Sequence, residues 1–284
     1  EDDGTVKKAD LASEWYDYET KKWANAVILE DESKNYASGE VIPEENIESY
    51  FVWIPKYRYQ LWDLGNYDSL TTIDTNKVHE IPVIFGDYNT SDNVNGECTT
   101  PMESGATGNC EVGDYMTHPA FLSIPSTGFW VGKFKVSKNN EILNIKPNKK
   151  ILLGVSLGQA FWYSYSYQRE LDSHMLKNTE WGAITYLSHS QYGIQNVLSV
   201  NTDPELRSGY ASEKIEGDSW SENAFPYNTK EGFLASTTGN ITGIYDLSGL
   251  TNEYVMAVNY IRNYPNNSEY WEFYEIENEI PDFY

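Results

Sequence analysis

Between Tyr50 and Trp62 the chain reads Tyr-Phe-Val-Trp-Ile-Pro-Lys-Tyr-Arg-Tyr-Gln-Leu-Trp, a run of β-branched and aromatic residues broken once, at Pro55. Such side chains favour a pleated, half-buried surface. The run therefore predicts a strand over 50–54 and, past the proline, a second over 56–62, with Tyr57, Tyr59 and Leu61 on one face. A strand this apolar needs partners. The sequence offers Trp15 to Leu29 as two strands around a turn at Glu19-Thr20-Lys21, Ile81 to Phe85 as a short strand, and Gly128 to Val136 as a longer one. In the last of these, Phe129, Val131 and Lys133 share one face, with Trp130, Phe134 and Val136 near the other. With 9 Trp, 23 Tyr and 10 Phe available, a β-rich core built on aromatic cross-strand pairs is the expected interior.

Two helices are expected beyond these strands. Ser156-Leu-Gly-Gln159 has the spacing of a capping box and opens a helix to about Arg169. A second, capped by Asn178 or Thr179, carries Trp181, Ile184 and Leu187 on one side and stops near Gly193. Residues 196–230 are polar and turn-rich. Residues 63–120 are rich in turn formers, and so long an excursion in a compact domain is either functional or disordered. The expected organisation is an N-terminal β-hairpin region over 1–49 and an α+β domain over 50–284 with a long insertion at about 63–120.

Acidic residues outnumber basic ones 43 to 20, for a formal charge of −23. That field repels phosphate backbones and anionic membranes, so nucleic acid is not an expected partner and divalent cations are the natural small ones. Carboxylates that serve solubility alone give the same composition. The two cysteines, Cys98 and Cys110, lie in one Gly/Thr/Ser-rich stretch. They suit a disulfide worth about 3 kcal/mol on the loop-entropy argument. A pair of metal-ligating thiolates would need further Cys or His, and none follows before His118. No apolar run approaches the roughly 18 residues of a membrane span, and no signal peptide stands at Glu1. A processed or trimmed extracellular domain is the expectation.

Asn240-Ile-Thr-Gly-Ile-Tyr-Asp-Leu-Ser-Gly249 with Leu250-Thr-Asn-Glu-Tyr254 resembles the N-x-x-G-hydrophobic-Y-D-hydrophobic-x-G-N-x-W-E-W signature of formylglycine-generating-enzyme-like domains, a branch of the C-type lectin fold. Phe51-Val-Trp-Ile-Pro55 resembles that family's F-V-x-I-P strand, Gly128-Phe-Trp-Val-Gly-Lys-Phe-Lys-Val-Ser137 its G-K-Y-E-V-T strand with Lys135 for the usual acid, and His174 to Ala183 its R-L-P-T-E-x-E-W-x-x-A segment. The order is the family's. Trp15 to Val27, Phe51 to Tyr57, Thr117 to Phe121 and Leu176 to Gly193 are similar, more closely, to runs in pilin-like and other surface proteins of gut Firmicutes. The resemblance implies twisted antiparallel sheets with two main helices and long irregular loops.

The departures bear on function. Oxidising members of the family use a cysteine pair in a C-terminal segment with R-G-G-S-W and G-F-R motifs; here Glu253 to Tyr284 carries neither, and Leu250 and Asn252 replace the Asn and Trp of the turn. The expectation is a non-enzymatic extracellular module of a surface appendage, pilus subunit or adhesin. An enzyme fragment of formylglycine-generating type and a phage receptor-binding protein are the rivals. Family members continue into strands that close the sheet, so self-assembly or a C-terminal partner chain is expected to complete it. The resemblance also implies that Asn240, Asp246 and Glu253 could hold Ca²⁺, since hard oxygen ligands suit it; Asn and Asp equally serve as turn residues through Asx hydrogen bonds. Asp92-Asn-Val-Asn-Gly-Glu97 fails as a calcium loop because Met102 falls at the position that needs a bidentate acid. His79, His118, His174 and His189 are dispersed, and no zinc-protease, serine-hydrolase or phosphate-loop pattern occurs.

Overall fold

The structure is a computed structural model. It describes residues 2–31, 33–60, 80–86, 115–121, 127–139, 142–217 and 219–256. Cys98 and Cys110, most of the 63–120 insertion and the C-terminal run 257–284 lie outside the described residues.

Among the described residues twelve strands and two helices follow in chain order: β1 (Val6–Lys7), β2 (Asn25–Leu29), β3 (Val41–Ile42), β4 (Ile47–Pro55), β5 (Tyr57–Tyr59), β6 (Val83–Phe85), β7 (Met116–Thr117), β8 (Gly128–Gly132), β9 (Ser137–Asn139), β10 (Ile142–Asn144), α1 (Leu157–Tyr167), α2 (Asn178–Ser188), β11 (Tyr210–Lys214) and β12 (Trp220–Pro226). The fold is α+β. Among the described residues these strands pair antiparallel, in two three-stranded sheets, β2-β4-β8 and β6-β5-β7, and the pairs β1-β3, β9-β10 and β11-β12.

β4 organises the molecule. It extends three residues earlier than its sequence suggests, because Ile47 pairs with Leu29, and Phe51 stands opposite both Ala26 of β2 and Gly132 of β8. Its inward side chains serve two cores. Val52 and Ile54 join Trp23, Tyr57, Phe121, Ile184 and Leu187 in the first, while Ile47 and Tyr50 join Phe134, Ile145, Tyr227 and Tyr245 in the second. Aromatic contacts carry much of both: Tyr57 meets Phe121 edge-on at 5.2 Å, and Phe134 stacks on Tyr245 at 5.3 Å.

Several expectations change in detail. The turn after Asp17 forms, with Lys21 in a left-handed conformation, but Trp15 to Tyr18 contributes a single bridge, Asp17 to Lys22, in place of a strand. The strand from Gly128 stops at Gly132, opposite Phe51, while β4 continues back to Ile47. Alternation fails there, so Lys133 and Phe134 are both buried. The polar stretch 196–230, read as turns, contains β11 and β12; their residues are Ser-, Glu- and Asn-rich and give no apolar alternation.

The helices differ too. α1 is opened by the expected reciprocal cap: Ser156 Oγ accepts from the Gln159 N–H at 3.2 Å, and Gln159 Oε1 accepts from the Ser156 N–H at 2.8 Å. It ends at Tyr167, and Arg169–Leu171 tightens into a 3-10 turn closed by left-handed Asp172. α2 begins at Asn178 itself, so neither Asn178 nor Thr179 caps it from outside. Instead Glu180 Oε2 accepts from the Lys177 N–H at 2.8 Å. Its buried stripe is Glu180, Ala183, Ile184, Leu187 and Ser188, which turns Trp181 away from the core.

Candidate functional site

The motif loop after Tyr245 is stitched to a second loop through backbone and side chain. Asn201 N donates to Ser248 O at 3.1 Å, and Leu250 N donates back to Asn201 O at 2.8 Å. The approach requires glycine at 249: φ is +94°, and a Cβ would lie 2.4 Å from Asn201 O. Asn201 also donates from Nδ2 to Asp246 Oδ1 at 2.8 Å and to Arg207 O at 3.0 Å. The two loops thus share one anchor.

Between them, the N-terminal end of α2 and Lys135, an open groove of about 970 Å³ is formed. Trp181 stands on its α2 side, Asp203, Pro204 and Leu206 on the second, and Leu247 to Glu253 with Val255 along the third. The groove is held by charge. Glu253 receives Lys135 Nζ at 3.1 Å on Oε1 and Trp181 Nε1 at 2.7 Å on Oε2. Lys135 Nζ also reaches Thr251 O at 3.3 Å. Across the groove Arg207 grips Asp203 with two parallel bonds, Nε to Oδ2 at 3.0 Å and Nη2 to Oδ1 at 2.8 Å, and stacks over Tyr210 at 4.5 Å. Burial would raise Asp203, but the Arg207 guanidinium and backbone N–H groups hold it below the ordinary carboxylate value. The same pair raises Arg207.

Two leucines on the rim, Leu206 and Leu250, have φ of +57° and +56°. A branched apolar side chain in the left-handed region is costly, and such residues collect where structure serves a site.

The three residues singled out for calcium have separate hydrogen-bond partners. Asn240 Oδ1 accepts from the Thr242 N–H at 2.9 Å and from the Thr242 and Thr238 hydroxyls, while its Nδ2 donates to Lys21 O. Asp246 is fully buried and accepts from Asn201, the Ser208 hydroxyl and the Gly209 N–H. Burial pushes its carboxyl up, and those three donors and Lys135 oppose the rise. Glu253 lines the groove. A cation at these oxygens would have to displace protein donors. Among the described residues no group of three or more His, Cys, Asp or Glu is arranged to hold a metal.

Of the four histidines, His79 lies outside the described residues. His118 is buried among Tyr57, Tyr59, Phe121 and Tyr186, and burial lowers it to about 3. His174 pairs with Glu180 beneath α2, and His189 closes that helix. The sequence singles out Glu253, puts Trp181 on the apolar side of its helix, and gives no site role to Asp203 and Arg207, which are legible as an i, i+4 opposite-charge pair. Lys135 is legible as the replacement of an acid, and its pairing with Glu253 is not.

No family model matches the chain, and neither a curated protein nor a solved structure matches it. Among the described residues no helix is long and apolar enough to cross a membrane.

Proposed function

We propose that the chain is a non-catalytic binding module of a bacterial surface appendage, a pilus subunit or adhesin, built on a C-type-lectin-like scaffold of the formylglycine-generating-enzyme type. Its ligand-binding face is the groove between the 247–255 loop and the 200–206 loop. One observation carries the reading: the three ionisable side chains lining the groove, Lys135, Asp203 and Glu253, are all ion-paired. A general base or nucleophile needs a lone pair free to react. Groups spent on each other instead fix the walls, which lowers the ordering cost of binding. Trp181, held by its N–H to Glu253, presents an aromatic anchor of the kind that dominates binding surfaces.

The test uses labelled full chain on bacterial and epithelial cells. Trp181→Ala is expected to reduce retention by about tenfold or more, the effect of losing an anchor residue, with the circular dichroism spectrum unchanged. Equal retention by the folded variant would remove the groove from the reading. Stoichiometric Cu(I) binding with oxidation of a cysteinyl peptide would overturn the non-catalytic assignment and favour the enzyme class.

A further inference from the structure

α1 carries no charged residue and five aromatic ones, Phe161, Trp162, Tyr163, Tyr165 and Tyr167, yet none of its 11 residues is buried. Its last turn is held to β4, where the Tyr167 hydroxyl donates to Glu48 Oε1 at 2.7 Å. The rest faces outward. Phe161 and Tyr165 stack along the helix at 6.1 Å, Trp162 meets Tyr165 edge-on at 5.8 Å, and Trp162 and Leu157 are exposed. Lys138 of β9 stands 5.2 Å from the centre of the Tyr163 ring, so the β9-β10 pair, with Ile142 exposed, adjoins the helix. A contiguous apolar surface left in water marks a contact site.

The face is also basic. Residues 133–172 hold seven Lys or Arg and three Asp or Glu, in a chain where acids outnumber bases 43 to 20. Arg169 lies 5.0 Å from the centre of the Tyr165 ring, as Lys138 does over Tyr163. Lys149 and Lys150 are exposed just before Ile151, which bridges Ser137 of β9. What fits here is both aromatic and acidic.

The chain supplies such a segment. Residues 269–284, outside the described residues, contain six Asp or Glu, six aromatic residues and no Lys or Arg. The chain leads to them from Met256, whose N–H donates to Leu176 O at 2.9 Å and whose carbonyl accepts from the Asn178 N–H at 2.8 Å. That anchor lies on the stretch of chain between α1 and α2. Residues 257–268 can span about 40 Å when extended, against about 16 Å for the length of α1. Over most of the remaining surface the same carboxylates would meet a field of their own sign. The tether sets a high effective concentration, so a modest contact suffices.

We propose that residues 269–284 dock in cis on the α1 face, their aromatic side chains covering Leu157, Phe161 and Trp162 and their carboxylates meeting Lys138, Lys149, Lys150 and Arg169. Zero-length carbodiimide coupling of the dilute full chain tests this, on an equal mixture of unlabelled and isotope-labelled copies read by mass spectrometry. Carboxylates of Glu269 to Asp282 are expected to join Lys138, Lys149 or Lys150 within single copies, in preference to the exposed Lys8, Lys214 and Lys230. Trp162→Ala, at an exposed site, should lower the yield of those links about tenfold, the effect of losing an anchor residue, with the circular dichroism spectrum unchanged. Links absent from the three lysines, spread alike over all exposed lysines, or carried mainly by label-mixed pairs overturn the proposal; the last outcome would make a second copy the occupant. The wild-type measurement needs no variant to fold.

Discussion

At Asp246 the residue's type is plain in the sequence and its hydrogen-bond partners are not. The Tyr-Asp turn is plain in the sequence, and an acid beside Asn240 and Glu253 suggests a cation ligand. In the fold its carboxylate is instead the acceptor for Asn201, Ser208 and Gly209, at a φ of +63° that Asp tolerates better than most residues. What the sequence withholds is the partner list, because Asn201 and Ser208 lie about 40 residues away and share no pattern with the motif. Asp246→Ala leaves three buried donors unpaired. Its expected cost is about 3 kcal/mol or more, read by denaturant unfolding, while Asp246→Asn should cost less, since it keeps an acceptor and the backbone tolerance. Equal stability of Ala and wild type would refute the hub. Gly249→Ala is expected to destabilise by about 2 kcal/mol or more because its methyl group would meet the Asn201 backbone at a positive φ; unchanged stability would mean that the loop shifts freely.

At the scale of elements, short-range chemistry was the most legible part. The Ser156–Gln159 cap is a four-residue pattern and forms as written. α2 was legible as a helix, but its buried face was not, because the stripe includes an acid. Glu180 is 1% exposed and faces inward with its carboxylate paired to His174, the Lys177 N–H and the Lys177 ammonium. That cluster sets a pH window. The hydrogen bond to Glu180 raises His174 above its ordinary 6.5, against the opposing effect of burial. Its contribution is therefore complete below 6.5 and is lost as pH rises through the raised folded value. For Glu180, burial acts upward but His174 and Lys177 hold it below 4.5, so its contribution is present above 4.5 and lost as pH falls through the lowered value. The stability gap between wild type and His174→Ala is expected to reach about 1.5 kcal/mol, the scale of a hydrogen bond to a charged group. It should be widest between pH 4.5 and 6.5 and narrow on the alkaline side. A gap that stays flat through that side would show that the imidazole contributes packing alone.

Over the whole molecule, the least legible feature was where units begin. A polar, Pro- and Gly-containing stretch at 30–46 reads as a boundary, yet the chain on either side of it meets in the same sheet. β2 is the edge partner of β4 and pairs with it from Asn25 to Leu29. Trp23, 1% exposed, sits in the core with Val52 and Ile184 and donates its indole N–H to Tyr192 O at 2.9 Å. Ile42 and Ile47 enter the second core with Tyr245, and Asn240 holds the turn at Lys21. Such cross-connections are long in sequence and leave no periodic trace. They imply that residues 2–49 unfold with the rest. Trp23→Ala is expected to cost about 3–5 kcal/mol, as removal of a buried aromatic side chain does, and the loss should appear equally in far-ultraviolet circular dichroism and in amide exchange at β4 and α2. The decisive outcome is in the exchange pattern. If β1 to β3 open well before β4, β8 and α2, the N-terminal segment is an appended hairpin; if they open together, Trp23 is a central pin of one cooperative unit.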